Sequence, residues 1–238
     1  MANGHALGVK VWGEFACFTR PEMKVERVTY PVMTPSAARG ILEAIFWKPE
    51  FAWQIREIWV LRPIHYISLV RNEINSRQSF QAAKAWAEGG GGFYADEDRA
   101  QRHTLALRDV AYVIWADMRL RPHATDPPVK YREQFRRRVA RGQCFQQPYL
   151  GCREFVAYFA DPEATDRPLD LTMDLGLMLF EPQFEASEQG PVRCVVHAGG
   201  ERRWVQGQVK PRFFAARLER GVLRVPEALY EGEPGHAS

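Results

Sequence analysis

The sequence predicts an α+β fold whose segments run strand, helix, strand, strand, helix, strand, followed by a small antiparallel β unit. Three observations carry this. A helix opened by Thr34-Pro35 and stopped by Pro49 lies between two apolar, β-rich runs. A second helix, entered through Pro127-Pro128 and left through Gly142, lies between two more. Beyond Asp161 helical periodicity gives way to short apolar runs separated by turn residues. The order is that of the ferredoxin-like arrangement, in which each crossing between parallel strands is made by a helix.

The elements follow in order. Residues 8–18 (GVKVWGEFACF) read as a strand, with Val9, Val11 and Phe15 apolar and Gly13 marking a bulge. Residues 19–33 form a long connection carrying Lys24, Arg27 and Tyr30. Thr34 then caps a helix, Pro35 fits its first position, and Ala38, Ile41, Leu42 and Ile45 recur at helical spacing. Gly40 inside this helix costs about 1 kcal/mol against Ala, so a close approach by another backbone is expected there. Residues 55–70 read as a second strand, bent or placed at an edge by Pro63. Residues 71–103 break the pattern with Lys84, the Gly89–Gly92 run and Asp96-Glu97-Asp98, and read as an inserted, mobile hairpin. Residues 105–117 resume as a strand, 129–140 form the second helix, and 149–159 a fourth strand. Short strands at 173–180, 192–197, 202–214 and 221–225 follow. The expected organisation is therefore a domain over 1–161, holding the 71–103 insertion, a β domain over 162–230, and a disordered tail over 231–238.

Composition narrows the function. The chain has 238 residues, is 46% hydrophobic and carries a net charge of only +3, so no global field draws polyanions. Any nucleic-acid site must be local. Residues 119–141 supply one: eight basic side chains (Arg119, Arg121, Lys130, Arg132, Arg136, Arg137, Arg138 and Arg141) stand against Asp126 and Glu133. Phe135 and Val139, four apart, turn one face of that helix to the core and leave the arginines to the rest of its surface. A solvated helix face would look similar. The local excess and the planar fork of Arg, which suits phosphate, favour RNA. Arg153-Glu154-Phe155-Val156 does not satisfy the base-stacking consensus of RNA-recognition sheets, so Phe155, Tyr158 and Phe159 are assigned to the core.

Other chemistries find little footing. The four cysteines form no C-x-x-C pair, and no secretory h-region opens the chain. Free thiols in a cytoplasmic protein are expected, with no membrane span. The histidines (His5, His65, His103, His123, His197 and His236) are scattered without metal-ligand spacing, and no phosphate-binding loop or serine elbow is present. No metal and no cofactor are expected. Metal-free RNA cleavage needs only a base near the ribose 2′-OH, an acid near the 5′-oxygen and a cation for the growing phosphorane charge. Lys130-Tyr131 and Arg102-His103 offer such groups.

Three stretches carry a resemblance: Phe15-Ala16-Cys17-Phe18-Thr19-Arg20-Pro21-Glu22; Ser36 to Ile45 with Trp47-Lys48-Pro49; and Gly142-Gln143-Cys144-Phe145 with Tyr149-Leu150-Gly151-Cys152-Arg153-Glu154-Phe155. With them the chain resembles the CRISPR-associated family-five protein, subtype d, of type I-C systems, over nearly its whole length. The resemblance implies a ferredoxin-like domain followed by a small β domain. It implies metal-independent cleavage of precursor CRISPR RNA at the base of the repeat hairpin, and retention of the 5′ handle. The implied partners are a family-seven backbone subunit and a family-eight large subunit; some members also bind double-stranded DNA. The family's catalytic set is Tyr, Lys and His. By this resemblance the Lys falls on Lys130, the His on Tyr131 and the Tyr on Phe46, which has no hydroxyl. Two readings follow: an endoribonuclease using Lys130 and Tyr131 with help from His103, or a scaffold that binds the handle without cutting. Both place the handle on Arg20, Lys24, Arg27 and Arg39 around the first helix and on Arg136, Arg137 and Arg138.

Overall fold

A computed structural model describes residues 7–23, 25–198 and 201–231. Lys24, and the expected tail apart from Glu231, lie outside the described residues. The chain runs β1 (Leu7–Ala16), β2 (Arg27–Val28), α1 (Pro35–Ile45), β3 (Phe51–Val60), β4 (His65–Ile74), α2 (Phe80–Gly89), β5 (Arg99–Leu120), α3 (Pro128–Ala140), β6 (Tyr158–Ala160), β7 (Met173–Ala186), β8 (Val192–Ala198), β9 (Glu201–Glu219) and β10 (Val222–Arg224), then a 3-10 turn, Glu227–Tyr230. The protein is α+β, with few helices and one large, mainly antiparallel sheet ordered β6-β1-β5-β3-β10-β9-β7. β10 pairs with β3 on one side and β9 on the other, so the sheet runs on across residue 161. The C-terminal strands extend the first sheet and do not close a separate one.

Local chemistry explains the helices. The Thr34 hydroxyl accepts from the Ala37 amide and Pro35 opens α1, as the sequence predicts. α1 turns Ala38, Ile41, Leu42 and Ile45 into the core, and α3 turns Tyr131, Phe135 and Val139. Each such large apolar side chain contributes about 1.5–3 kcal/mol by leaving water. α3 ends in a Schellman motif: Gly142 takes φ +61°, its amide donates to the Val139 carbonyl, and the Gln143 amide donates to Arg138. Gly142 supplies the left-handed residue this ending needs.

Several expectations are corrected. Residues 55–70 are not one strand: β3 stops at Val60, and Pro63 lies in the connection to β4. Residues 149–159 are not a strand until Tyr158. The segment folds on itself, with the Leu150 amide donating to Phe155 and the Ala157 amide to Pro148, while the Leu150 carbonyl accepts from Cys17. Residues 71–103 belong to a long hairpin, β4 against β5, and hold a helix the pattern did not reveal. Ser79 caps that helix and an Ala-rich stretch propagates it. Tyr158 is exposed and stacks on Trp12, at 6.1 Å between ring centroids, whereas Phe155 is buried as expected. Gly13 marks no bulge, since β1 keeps its register with β5 through it; a Cβ there would stand 2.5 Å from Leu150 Cδ1.

Gly40 and Gly151 differ most in what they require. A Cβ on Gly40 meets nothing within 4 Å, so no backbone approaches it. Gly151 takes φ +85°, and a Cβ there would lie 2.1 Å from the Cys17 carbonyl oxygen. Gly40→Ala should therefore raise the melting temperature by about 2–4 °C, from about 1 kcal/mol of helix propensity. Gly151→Ala should lower it by more than that, through left-handed strain of about 1–3 kcal/mol and a backbone clash. Calorimetric melts of the two variants check both signs.

Candidate nucleic-acid interface

The end of α1 organises the site. A helix leaves its last carbonyls without intrahelical partners. Here the Ala44 oxygen accepts from the amides of Phe145 (2.9 Å) and Gln146 (3.2 Å), and the Ile45 oxygen accepts from the Arg138 guanidinium at 2.7 Å. The chain leaves extended at Phe46 (φ −153°, ψ 116°), so successive side chains alternate in direction. Phe46 turns inward onto Phe51 and lies under the Arg138 guanidinium, 5.1 Å from its ring centroid. Trp47 turns outward and is 43% exposed. Lys48 returns over the Tyr131 ring, with Nζ 5.9 Å from its centroid. Tyr131 in turn packs on Phe51. Phe46 and Tyr131 thus pack on the same ring, Phe51, at one corner, and Lys130 precedes Tyr131 on α3 with its ammonium out in solvent.

The electrostatics of that corner are those of a donor and a cation. Lys130 Nζ lies 2.8 Å from Asp126, one helical turn before it, and that hydrogen bond raises its pKa. Lys130 is an ammonium at neutral pH. The Tyr131 ring is buried and its hydroxyl has no hydrogen-bond partner among the described residues. Burial first, then the carboxylates of Glu50 and Asp126, raise its pKa, so it stays a phenol that can donate but not a ready base. One Glu50 carboxylate oxygen is likewise buried and unpaired among the described residues. His123 joins from the α3 side, with Nε2 3.1 Å from the Pro49 carbonyl. A carbonyl only accepts, so that nitrogen carries a proton, and in the neutral ring Nδ1 is the acceptor. The Trp-Lys-Pro stretch was visible in the sequence, but nothing in it foretold that Lys48 would lie over Tyr131 or that His123 would reach Pro49.

The remaining site residues are sorted by their partners. His103 does not join the corner. It pairs with Val70 in the hairpin, and β5 runs on from it to Leu120 at about 3.3 Å per residue before reaching Phe51. Arg39 is bound to the buried Glu181 carboxylate and to Glu43, so it ties α1 to β7 and is withdrawn from RNA. Arg27 meets Glu73, Glu154 and Cys152 Sγ, the last at 3.3 Å. The Cys152 thiol is held below its ordinary value, by its neighbour Cys17 first and then by Arg27. Arg20 covers the Tyr30 ring at 4.5 Å and lies 3.8 Å from Glu22. Arg138 is spent on Ile45 and Phe46. Arg136 pairs with exposed Glu133, a contact worth little in water. Arg137 and Arg141 are exposed and make no ion pair among the described residues. Near α3 the exposed cations include Lys130, Arg136, Arg137 and Arg141.

No helix among the described residues is long and apolar enough to cross a membrane. The family model of the CRISPR-associated protein (Cas_Cas5), in its Cas5d form, matches residues 6–226. A Thermus thermophilus protein named CRISPR pre-crRNA endoribonuclease Cas5d is 51% identical over 235 residues, covering 97% of each chain. A protein of the same name from Mannheimia succiniciproducens is 41% identical, over 95% of this chain and 96% of its own. A functionally uncharacterized protein from Streptococcus mutans shares the fold, with a TM-score of 0.61 at 20% identity over 96% of this chain and 95% of that one. Most of the chain falls within one family model and within relatives well above 30% identity, so it belongs to the Cas5d branch of the CRISPR-associated Cas5 proteins.

Proposed function

We propose that this protein is an endoribonuclease that cuts precursor CRISPR RNA in the repeat, at the base of its hairpin, without metal. It then keeps the 5′ handle as a subunit of a type I-C complex in the cytoplasm. The observation that carries the reading is the packing of Phe46 and Tyr131 on Phe51, with Lys130 next to Tyr131 in sequence and exposed arginines on the same helix, in a chain 51% identical to a pre-crRNA endoribonuclease. The β6-β1-β5-β3 order with α1 and α3 packed against these strands supports a ferredoxin-like first domain over 1–161, with 162–230 as the appended β unit. The β4–α2–β5 arm, whose helix buries no residue, suits contact with the family-seven or family-eight subunit. Double-stranded DNA is a further partner of the same basic surface.

The chemistry follows from the groups present. The ribose 2′-oxygen attacks its own phosphorus and loses its proton to a base; the 5′-oxygen leaves with a proton from an acid. The products are a 2′,3′-cyclic phosphate and a 5′-hydroxyl. The Lys130 and Lys48 ammonium groups meet the added negative charge of the phosphorane. Tyr131, kept protonated, serves as the acid once the bound RNA opens the packing over its hydroxyl, which is buried in the free protein. His123, whose Nδ1 accepts in the neutral ring, takes the 2′-OH proton. Phe46 packs the corner and moves no proton.

A second reading keeps the RNA and drops the cut. Phe46 lacks a hydroxyl and Tyr131 stands where the family has His, which favours a handle-binding scaffold with slow cleavage. The parent protein, incubated in EDTA with its own repeat RNA, should give one cut at the hairpin base. Lys130→Ala should slow that cut by about 10²–10³-fold, while His103→Ala should leave it unchanged. An unaffected Lys130→Ala rate would remove Lys130 from the reaction, and no cut by the parent would select the scaffold. Affinity for the repeat should fall steeply with salt. Removing both Arg137 and Arg141 should flatten the log–log slope by about 1.4–1.8, the release of counterions from two phosphates. An unchanged slope would place the handle elsewhere.

A further inference from the structure

Phe145 is a large apolar side chain held out to water from a rigid mount. Its ring is 80% exposed. Its backbone is pinned, because its own amide and that of Gln146 both donate to the Ala44 carbonyl at the end of α1. The Schellman turn at Gly142 fixes the chain just before it. An aromatic in a flexible loop could fold back onto the core, whereas this one is anchored facing solvent. Trp47, 43% exposed, leaves the same end of α1 two residues past Ile45. The surroundings are cationic: Arg141 and Arg137 are exposed and unpaired among the described residues, and Arg138 bridges to Ile45.

Spacing connects this ring to the reactive corner. α3 carries Lys130 in its first turn and Arg137 in its last, with Arg141 as its cap. At a rise of about 1.5 Å per residue, Lys130 and Arg141 stand about 16 Å apart along the axis. A strand with a phosphate near Lys130 and its backbone along α3 would pass Arg137 and Arg141 before reaching Phe145. Rings fixed beside guanidinium groups are how proteins hold unpaired bases, since every base has a π-face.

We propose that Phe145, with Trp47 at the same end of α1, is a stacking site for an unpaired nucleobase next to the repeat hairpin. This rests on the RNA-cleaving reading and deepens it: the enzyme grips a single-stranded flank and not only the duplex. A protein subunit seated on Phe145 is the competing occupant. The exposed Arg137 and Arg141 at the end of α3, without an ion pair among the described residues, favour the nucleic acid.

Binding of two labelled RNAs to the full-length protein, followed by fluorescence anisotropy, tests this. One RNA carries the repeat hairpin with its single-stranded flanks; the other ends at the hairpin base. Phe145→Ala should weaken the flanked RNA by about tenfold or more and leave the trimmed hairpin unchanged, while Phe145→Trp should bind both like the parent. Its melting temperature should match the parent's, because the ring is exposed. Phe145→Ala binding the flanked RNA as tightly as the parent would overturn the stacking site. So would normal RNA binding coupled with loss of assembly with the backbone subunit, which would assign the ring to a protein contact. If the parent binds neither RNA, the RNA-cleaving reading falls and the stacking site with it.

Discussion

The last carbonyls of α1 are the constraint on which the rest of the site depends. A helix end buried against protein must find donors for these oxygens, and here they come from α3 and the turn after it: Arg138 to Ile45, Phe145 and Gln146 to Ala44. These bonds set the two helices against each other. They also fix the direction in which the chain departs, and so decide that Phe46 faces in, Trp47 faces out and Lys48 falls over Tyr131. The aromatic corner and the exposed Trp47 are two consequences of one satisfied helix terminus.

Charge is organised by withdrawal as much as by display. With a net charge of +3, most cations must be neutralised locally. Glu181, buried under the sheet's C-terminal strands, engages Arg39 and Arg212 and holds α1 to β7 and β9. Glu154 engages Arg27 and Arg71 where the hairpin leaves the sheet. A partly buried charge needs such a partner because desolvation is costly. Among the arginines left exposed are those on the outer ridge of α3, where water solvates them and a phosphate can displace that water. Burial of Tyr131 works in the same direction: it keeps the phenol protonated, with the Lys48 ammonium over its ring.

Much of the architecture was legible because it rests on local rules. Thr34 caps, Pro35 fits the first turn and Gly142 takes the left-handed ending; each follows from residues within one helical turn. The apolar face of α3 followed from Phe135 and Val139. Failures came where non-local contacts overrode local preference. Residues 149–159 carry a strand-like composition but bond to themselves and to Cys17, and the helix of 80–89 was hidden by the polar insertion around it. The final strands look like a separate unit in sequence and yet continue the first sheet, because β10 finds its partner in β3, far earlier in the chain.

For the site, the sequence alone determined the inventory: an arginine-dense helix, a Lys-Tyr pair at its start, an aromatic-Trp-Lys-Pro exit from the first helix, and a family whose catalytic positions fall on residues 46, 130 and 131. Only the tertiary structure decided which of those groups are free to act. Arg39 meets Glu181 across 142 positions of sequence, Arg27 meets Glu154 across 127, and Arg138 meets Ile45 across 93. Ion pairing and hydrogen bonding depend on distance in space, and a sequence specifies that distance only after the chain has closed its sheet.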